Sequence, residues 1–366
     1  MTGTTLGVEE EFHLVDPTTG ALVASAAVAD AAVLGRAGEH VQPEISQTQL
    51  ETATGICRTL AETRAALLQT RAEAVAAAQT AGLTVLAAST HPSASPKDLV
   101  LTDAPRYRVM VQRWAGLATG QDICGTHVHV GVDDLDTAVA VMDRARPYLP
   151  LLLAMTGSSP FHDGADTGYA SWRTVWWSRW PVSGPPEPMG DAAGYHHVVD
   201  TLVGAGLVPD GSQLYWDLRP SVHVPTVEFR MGDVCTDLDD VVLHAALCRS
   251  LVNVLAGRRD TPAPEVRPEV LRAARWQAAR FGLSGRLIDP VSGELVDARD
   301  AVRGLVRELA DDLDSRGELD EVTALAEQLL GRGTSADRQR SIMSRTGDPG
   351  AVVRHLLALG GTDPGL

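Results

Sequence analysis

The segment Gly7-Val8-Glu9-Glu10-Glu11-Phe12 sets three carboxylates in a row between apolar residues. In an extended chain side chains alternate, so Glu9 and Glu11 share one face and Glu10 takes the other. Two carboxylates about 7 Å apart along one face repel each other unless a cation lies between them. The bland alternative is a solvated edge strand whose charges discourage aggregation. The same parity recurs in Gly125-Thr126-His127-Val128-His129-Val130-Gly131. There His127 and His129 share a face, the glycines leave room for a ligand, and Val128 and Val130 point to the core. Neutral imidazole suits a divalent cation and protonated imidazole an oxyanion. In Val227-Glu228-Phe229-Arg230-Met231-Gly232, Glu228 and Arg230 again point one way. A plain salt bridge between them would be a weak stabiliser.

Two further stretches carry candidates. Glu44 and Glu51 are seven residues apart and fall on opposite faces of a regular strand. They converge only if a bulge or bend intervenes, so Glu51 is the stronger candidate. Between Gly168 and Pro181, Trp172, Arg173, Trp176, Trp177, Arg179 and Trp180 alternate. Arginines there could hold a carboxylate bidentately while the rings exclude water; a core segment with cation–π pairs is the alternative. No G-x-x-x-x-G-K-[ST] or G-x-G-x-x-G motif is present, so any ATP is held by another architecture. A face bearing several carboxylates with His and Arg favours Mg²⁺ or Mn²⁺ over Zn²⁺.

These side chains need strands, and the pattern supplies them. Strands are expected over 4–15, with a turn at 16–20 and a returning partner at 21–25, and over 41–56, 84–89, 123–132, 215–219 and 226–231. Helices are expected over 58–81, 103–119, 135–145, 237–256, 265–281, 298–313 and 319–330, followed by a polar, weakly helical tail. Hairpin-like strand pairs separated by long helices predict an α+β fold with an antiparallel sheet rather than a doubly wound one, in one domain over 1–366. Pro181 to Pro188 reads as an active-site loop.

Composition narrows the function classes. The chain has 366 residues and a net charge of −16. A field of that sign disfavours nucleic acid. There is no run of eighteen apolar residues, which predicts no membrane span, and the first residues carry no secretory signature. Four scattered cysteines suit reduced thiols in a cytoplasm. The expected partners are small molecules, and a homodimer fits an enzyme of this size.

The ordered set Gly7–Phe12, Gln49-Leu50-Glu51, Gly125–Gly131, Ser178-Arg179-Trp180-Pro181, Glu228-Phe229-Arg230 and the tail Ala336-Asp337-Arg338-Gln339-Arg340 resembles the type-2 glutamate–cysteine ligases, or carboxylate–amine ligases, across essentially the whole chain. The resemblance implies a glutamine-synthetase-like fold, a curved antiparallel sheet whose concave face binds ATP and Mg²⁺. It implies Glu9, Glu11, Glu51, His127 and Glu228 as metal ligands, and His129, Arg338 and Arg340 as nucleotide contacts. Glu228, Arg230 and Arg179 would serve catalysis, Arg230 meeting the transferred phosphoryl group. Arg173, Arg179, Trp172 and Glu44 would bind substrate. The implied reaction joins the γ-carboxylate of L-glutamate to L-cysteine through an acyl phosphate. A different amine acceptor, a metal-dependent hydrolase and a related phosphotransferase stay as alternatives.

Overall fold

The computed structural model describes residues 4–95 and 99–360. Its centre is a seven-stranded sheet built from β1 (Leu6–Val15), β2 (Val41–Pro43), β3 (Gln49–Ala53), β4 (Thr84–Leu86) and β5 (Gly125–Gly131). A two-residue hairpin, β6 (Phe161–His162) with β7 (Ala165–Asp166), stands apart from it. Strands β8 (Leu218–Pro220) and β9 (Thr226–Asp233) complete the sheet. Its order is β2-β3-β1-β5-β9-β8, β4 pairs with the far half of β1, and every pairing is antiparallel. The chain is thus the antiparallel α+β fold that the strand and helix pattern predicts.

One face of the sheet is closed by helices because the even positions of β1 are made for it. Leu6, Val8, Phe12 and Leu14 are all buried, as are Val128 and Val130 of β5 and Phe229 and Met231 of β9. Against them lie the helices Leu60–Gln79 and Leu238–Gly257. The first starts at a capping box, in which Thr59 accepts from the Glu62 amide and Glu62 reaches back to the Thr59 amide. It stops before Gly82, whose φ of +72° turns the chain into β4. Leu238–Gly257 is long and apolar enough to cross a membrane by length and composition, but 78% of that stretch is buried inside the protein. It is a core helix.

Several expected elements differ. The region 41–56 is not one extended strand: residues 44–48 turn back, and β2 pairs with β3 as a hairpin. The helix expected over 103–119 breaks at Ala115, where φ is +47°, into Pro105–Trp114 and Gly116–Thr119. The tail forms two full helices, Ser335–Thr346 and Pro349–Leu359, the first opened by a Thr334–Asp337 capping box. The Trp-rich segment is a short helix, Trp172–Trp177, with Ser171 as its cap. The helix Ala26–Val33 was not expected; its alanine-rich stretch lacks a strong apolar period. The loop 181–188 bridges from Gly184 to Trp216, just before β8, and is held by an Arg146–Glu187 ion pair, with Asp143 accepting from the Met189 and Gly190 amides that follow it.

Candidate active site

Sheet register assembles the site. Cα pairing sets Glu9 beside His127 and Glu11 beside Glu51, and His129 beside Glu228, which in turn faces Arg219 of β8. Five strands therefore deliver four glutamates, two histidines and two arginines to one face. A register shift between Thr126 and Val128 in the β5–β9 pairing leaves that alignment of His129 and Glu228 intact.

The contacts fall into two triads that share Glu9. Oxygen and nitrogen atoms of Glu9, Glu51 and His127, and of Glu9, His129 and Glu228, lie within 4.8 Å of one another in each triad. His127 Nδ1 is 3.0 Å from Glu9 Oε2, and its Nε2 is 3.9 Å from Glu11 Oε1. His129 bonds Thr226 Oγ1 through Nδ1 at 2.9 Å and places Nε2 3.3 Å from Glu9 and 3.9 Å from Glu228. Both Nε2 atoms are buried without a hydrogen-bond partner. An orphaned buried nitrogen costs free energy unless a ligand completes it.

The carboxyls divide by environment. Burial alone would raise Glu9, but the hydrogen bond with His127 and the adjacent His129 ring hold it well below the usual range. Burial would likewise raise Glu228, yet Arg230 and Arg219 hold it far down. Arg219 Nε donates to Glu228 Oε2 at 2.8 Å, and Arg230 pairs with Oε1. Glu11 and Glu51 have no such relief. Burial and then the Glu44 charge push Glu11 up to about 8, against Arg173 and the 2.6 Å hydrogen bond that Glu11 accepts from the Gly125 amide. Burial and the charges of Glu9, Glu44 and Glu11 hold Glu51 well above the usual range. Burial, with Arg230, drops His127 to about 4, so it is a neutral imidazole able to donate a lone pair. Carboxylates that repel one another beside the neutral His127 imidazole form a hard-donor set that a divalent cation would stabilise, and the residues present fit Mg²⁺ or Mn²⁺.

The placement of the remaining candidates varies. Glu44 joins this cluster because 41–56 is a hairpin: Gln42 lies opposite Glu51, and Glu44, two residues on, shares their face. Its neighbours are Glu11 and Glu51, and its Oε2 accepts from the Ile45 amide. Arg173 is 2% exposed and donates to the carbonyls of Met231 and Arg230, with no carboxylate bonded to it among the described residues. Gly125 is needed for this, since a Cβ there would collide with the Arg173 guanidinium, as one at Gly131 would with Thr5. The glycines that flank the histidine strand thus make room for the chain itself. Arg179 is exposed and stacks 3.8 Å from the Trp176 ring centroid; Trp172 packs near Tyr169 and His162. Arg338 and Arg340 lie outside the cluster: Arg338 faces Asp237 and Asp240, and Arg340 pairs with Asp166 and the Tyr169 carbonyl.

Two arginines escape a reading of the sequence. Arg219 is invisible to strand parity but legible as a hairpin partner, since pairing β8 with β9 sets it opposite Glu228. Arg106, on the helix Pro105–Trp114, donates to the Pro43 carbonyl at 2.8 Å and acts electrostatically on Glu51. No local signal ties it to the hairpin.

Comparison with known proteins identifies the family of the chain. The model of the family described as Glutamate-cysteine ligase family 2 matches residues 5–355. A protein of Saccharopolyspora erythraea, provisionally named glutamate–cysteine ligase 2-1, is 43% identical over 353 residues, covering 96% of this chain and 94% of the relative. One of Rhodopirellula baltica, provisionally named glutamate–cysteine ligase 2, is 38% identical over 361 residues, covering 97% and 96%. Among solved structures, the glutamate–cysteine ligase of Francisella tularensis in complex with AMP superposes with a TM-score of 0.72 at 14% identity, over 97% of this chain and 87% of that one. At that identity the likeness is one of fold.

Proposed function

The chain belongs to glutamate–cysteine ligase family 2, and on that premise we propose that it is an ATP-dependent ligase joining the γ-carboxylate of L-glutamate to the amine of L-cysteine. The reaction releases ADP and phosphate and passes through an acyl phosphate. The observation that carries this reading is the convergence of Glu9, Glu11, Glu44, Glu51, His127, His129 and Glu228 on one sheet face, with Arg230, Arg219 and Arg173 at its margin.

The chemistry demands that two anions, the γ-phosphate of ATP and a carboxylate, be brought together. A carboxylate does not acylate an amine directly because oxide is a poor leaving group; phosphorylation turns it into a good one. Glu9, Glu11, Glu44, Glu51, His127, His129 and Glu228 would hold Mg²⁺, which when bound supplies charge neutralisation for the triphosphate. Arg230, locked by Glu228 at the floor of the face, presents a fixed positive charge where the transferring phosphoryl group would lie. Arg173 supplies the cation for the donor's carboxylate, because burial has removed it from water and, among the described residues, no carboxylate is bonded to it. Glu228 keeps both arginines on its face oriented without competing for a proton.

The test is ADP release from Mg·ATP, measured with glutamate alone and then with L-cysteine and other amines. Stimulation by glutamate plus an amine is expected; no stimulation by any carboxylate–amine pair would sink the ligase reading.

A further inference from the structure

Away from the sheet, a cavity opens between three elements that the phosphoryl chemistry does not use. These are the hairpin of β10 (Arg286–Ile288) with β11 (Leu295–Asp297), the helix Ala298–Glu308 and the start of the helix Leu149–Thr156. The cavity encloses about 470 Å³, within the range of small-molecule sites, and none of its lining residues belongs to the acidic face. Pro147, Pro150, Pro264 and Pro290 stiffen its walls, since each fixes its own backbone. The helix turns Ala301, Gly304, Leu305 and Glu308 towards it, the i, i+3, i+4, i+7 spacing of one face. Large apolar residues on that face would fill the space; alanine and glycine keep it open. A glycine inside a helix costs stability relative to alanine, and a Cβ at Gly304 would meet only the Arg307 guanidinium, at 3.9 Å. The protein's own packing therefore does not call for glycine there. Val291, on the hairpin wall, is 58% exposed, so the cavity is open to solvent.

The charges on these walls have one sign. Asp289, Asp300 and Glu308 contribute carboxylates, and among the described residues no Lys, Arg or His lines the cavity. Two of the three are answered by arginines that stand outside it, Glu308 by Arg258 at 3.1 Å and Asp300 by Arg303 at 3.4 Å. The Tyr148 hydroxyl also donates to Glu308, at 2.8 Å. Asp289 has no ion-pair partner among the described residues; its Oδ1 accepts from the Val291 and Ser292 amides. A carboxylate beside apolar walls is stabilised by a cation brought in with the apolar surface that fills them. We propose that this cavity is a second binding site, separate from the acidic face, for a small apolar molecule carrying one cationic amine. Its apolar body packs on Leu151, Leu287, Val296 and Leu305, and its ammonium pairs with Asp289. An anion of the same shape is repelled by the three carboxylates.

The experiment is calorimetric titration of the full-length protein with 2-phenylethylamine, its neutral counterpart 2-phenylethanol and its anionic counterpart 3-phenylpropanoate. The amine is expected to bind about tenfold or more tightly than the alcohol, and the carboxylate to give no binding heat. Asp289→Asn keeps the oxygen that the two amides use and removes the charge, so the amine should lose its advantage over the alcohol. Gly304→Leu fills the cavity and should abolish binding of both, with no fall in the thermal midpoint. Saturating Mg·ATP should leave the affinity for the amine within about twofold. No binding of the amine to the wild type, no preference for it over the alcohol, or a preference kept in Asp289→Asn overturns the proposal. So does binding that survives in folded Gly304→Leu. Displacement of the amine by Mg·ATP would place it on the acidic face and overturn the proposal as well.

Discussion

Glu10 and Glu11 are consecutive residues of one strand, alike in chemistry and set in opposite surroundings. Glu10 faces the helices and is fully buried, yet Arg71 grips both of its oxygens, at 3.0 and 2.6 Å, and goes on to bind the carbonyls of Thr236, Cys235 and Gly360. Its charge is answered within the fold, and it ties the central strand to the C-terminal helix. Glu11 faces the other way and meets Glu44 and Glu51. Its charge is only partly answered, by the Gly125 amide and the nearby Arg173 and Arg230 charges. A carboxylate that the fold neutralises is structural; one that the fold leaves in conflict is kept for a ligand, at a cost in stability.

That contrast can be broken in several ways. The largest effect is expected from Glu51→Gln, which should cut turnover by about 10³-fold or more. Because it removes a repelled charge, it should also raise the thermal midpoint of the metal-free protein, on the order of 1 kcal/mol of stability. Calorimetric melting that showed a fall would mean that the cluster is not strained. Glu228→Gln should abolish turnover as well but lower the midpoint, since it strands Arg219 and Arg230.

Glu10→Gln inverts the pattern. It should lose about 3–5 kcal/mol in chemical denaturation by breaking a buried pair, while turnover per folded molecule stays near wild type. A tenfold loss of turnover in the folded fraction would show that the two faces of the strand are coupled.

Acid and metal sharpen the same contrast. Glu11 titrates near 8 in the folded chain against 4.5 for the free group, so the folded state binds that proton more tightly. Its contribution is whole below about 4.5 and is lost as pH rises through about 8. The metal-free protein should therefore melt at lower temperature as pH rises through this window, and millimolar Mg²⁺ should flatten the slope. A slope unaffected by Mg²⁺ would remove Glu11 from the cation site.

The smallest effect is expected from Arg340→Ala. Its partner, Asp166, is half exposed, and such a pair contributes about 0–1 kcal/mol. KM for ATP should stay within about twofold; a larger rise would restore Arg340 as a nucleotide contact.

Alternation along a single strand made much of the site legible. The period of two put Glu9 with Glu11, His127 with His129 and Glu228 with Arg230, and set Glu10 on the other face, all before any pairing was known. Glycine, proline and capping residues likewise marked most helices, Leu135–Ala145 to the residue. Neighbouring strands are another matter, because which residue faces which depends on register and on where the chain reverses. The hairpin of β2 and β3 brought Glu44 onto the face of Glu51, which a single-strand reading had set on opposite faces. Pairing of β8 with β9 brought in Arg219. The ion pairs of Arg338 and Arg340 with aspartates outside the cluster, the burial of Arg173 under Gly125, and the meeting of His13 with Asp122 all join residues far apart in the chain. The sequence by itself determined which side chains share a face of each strand, because that is a local property of backbone geometry. Only the tertiary structure decided which of those charges would be paired and which left in conflict, because pairing is settled by what folding brings into contact.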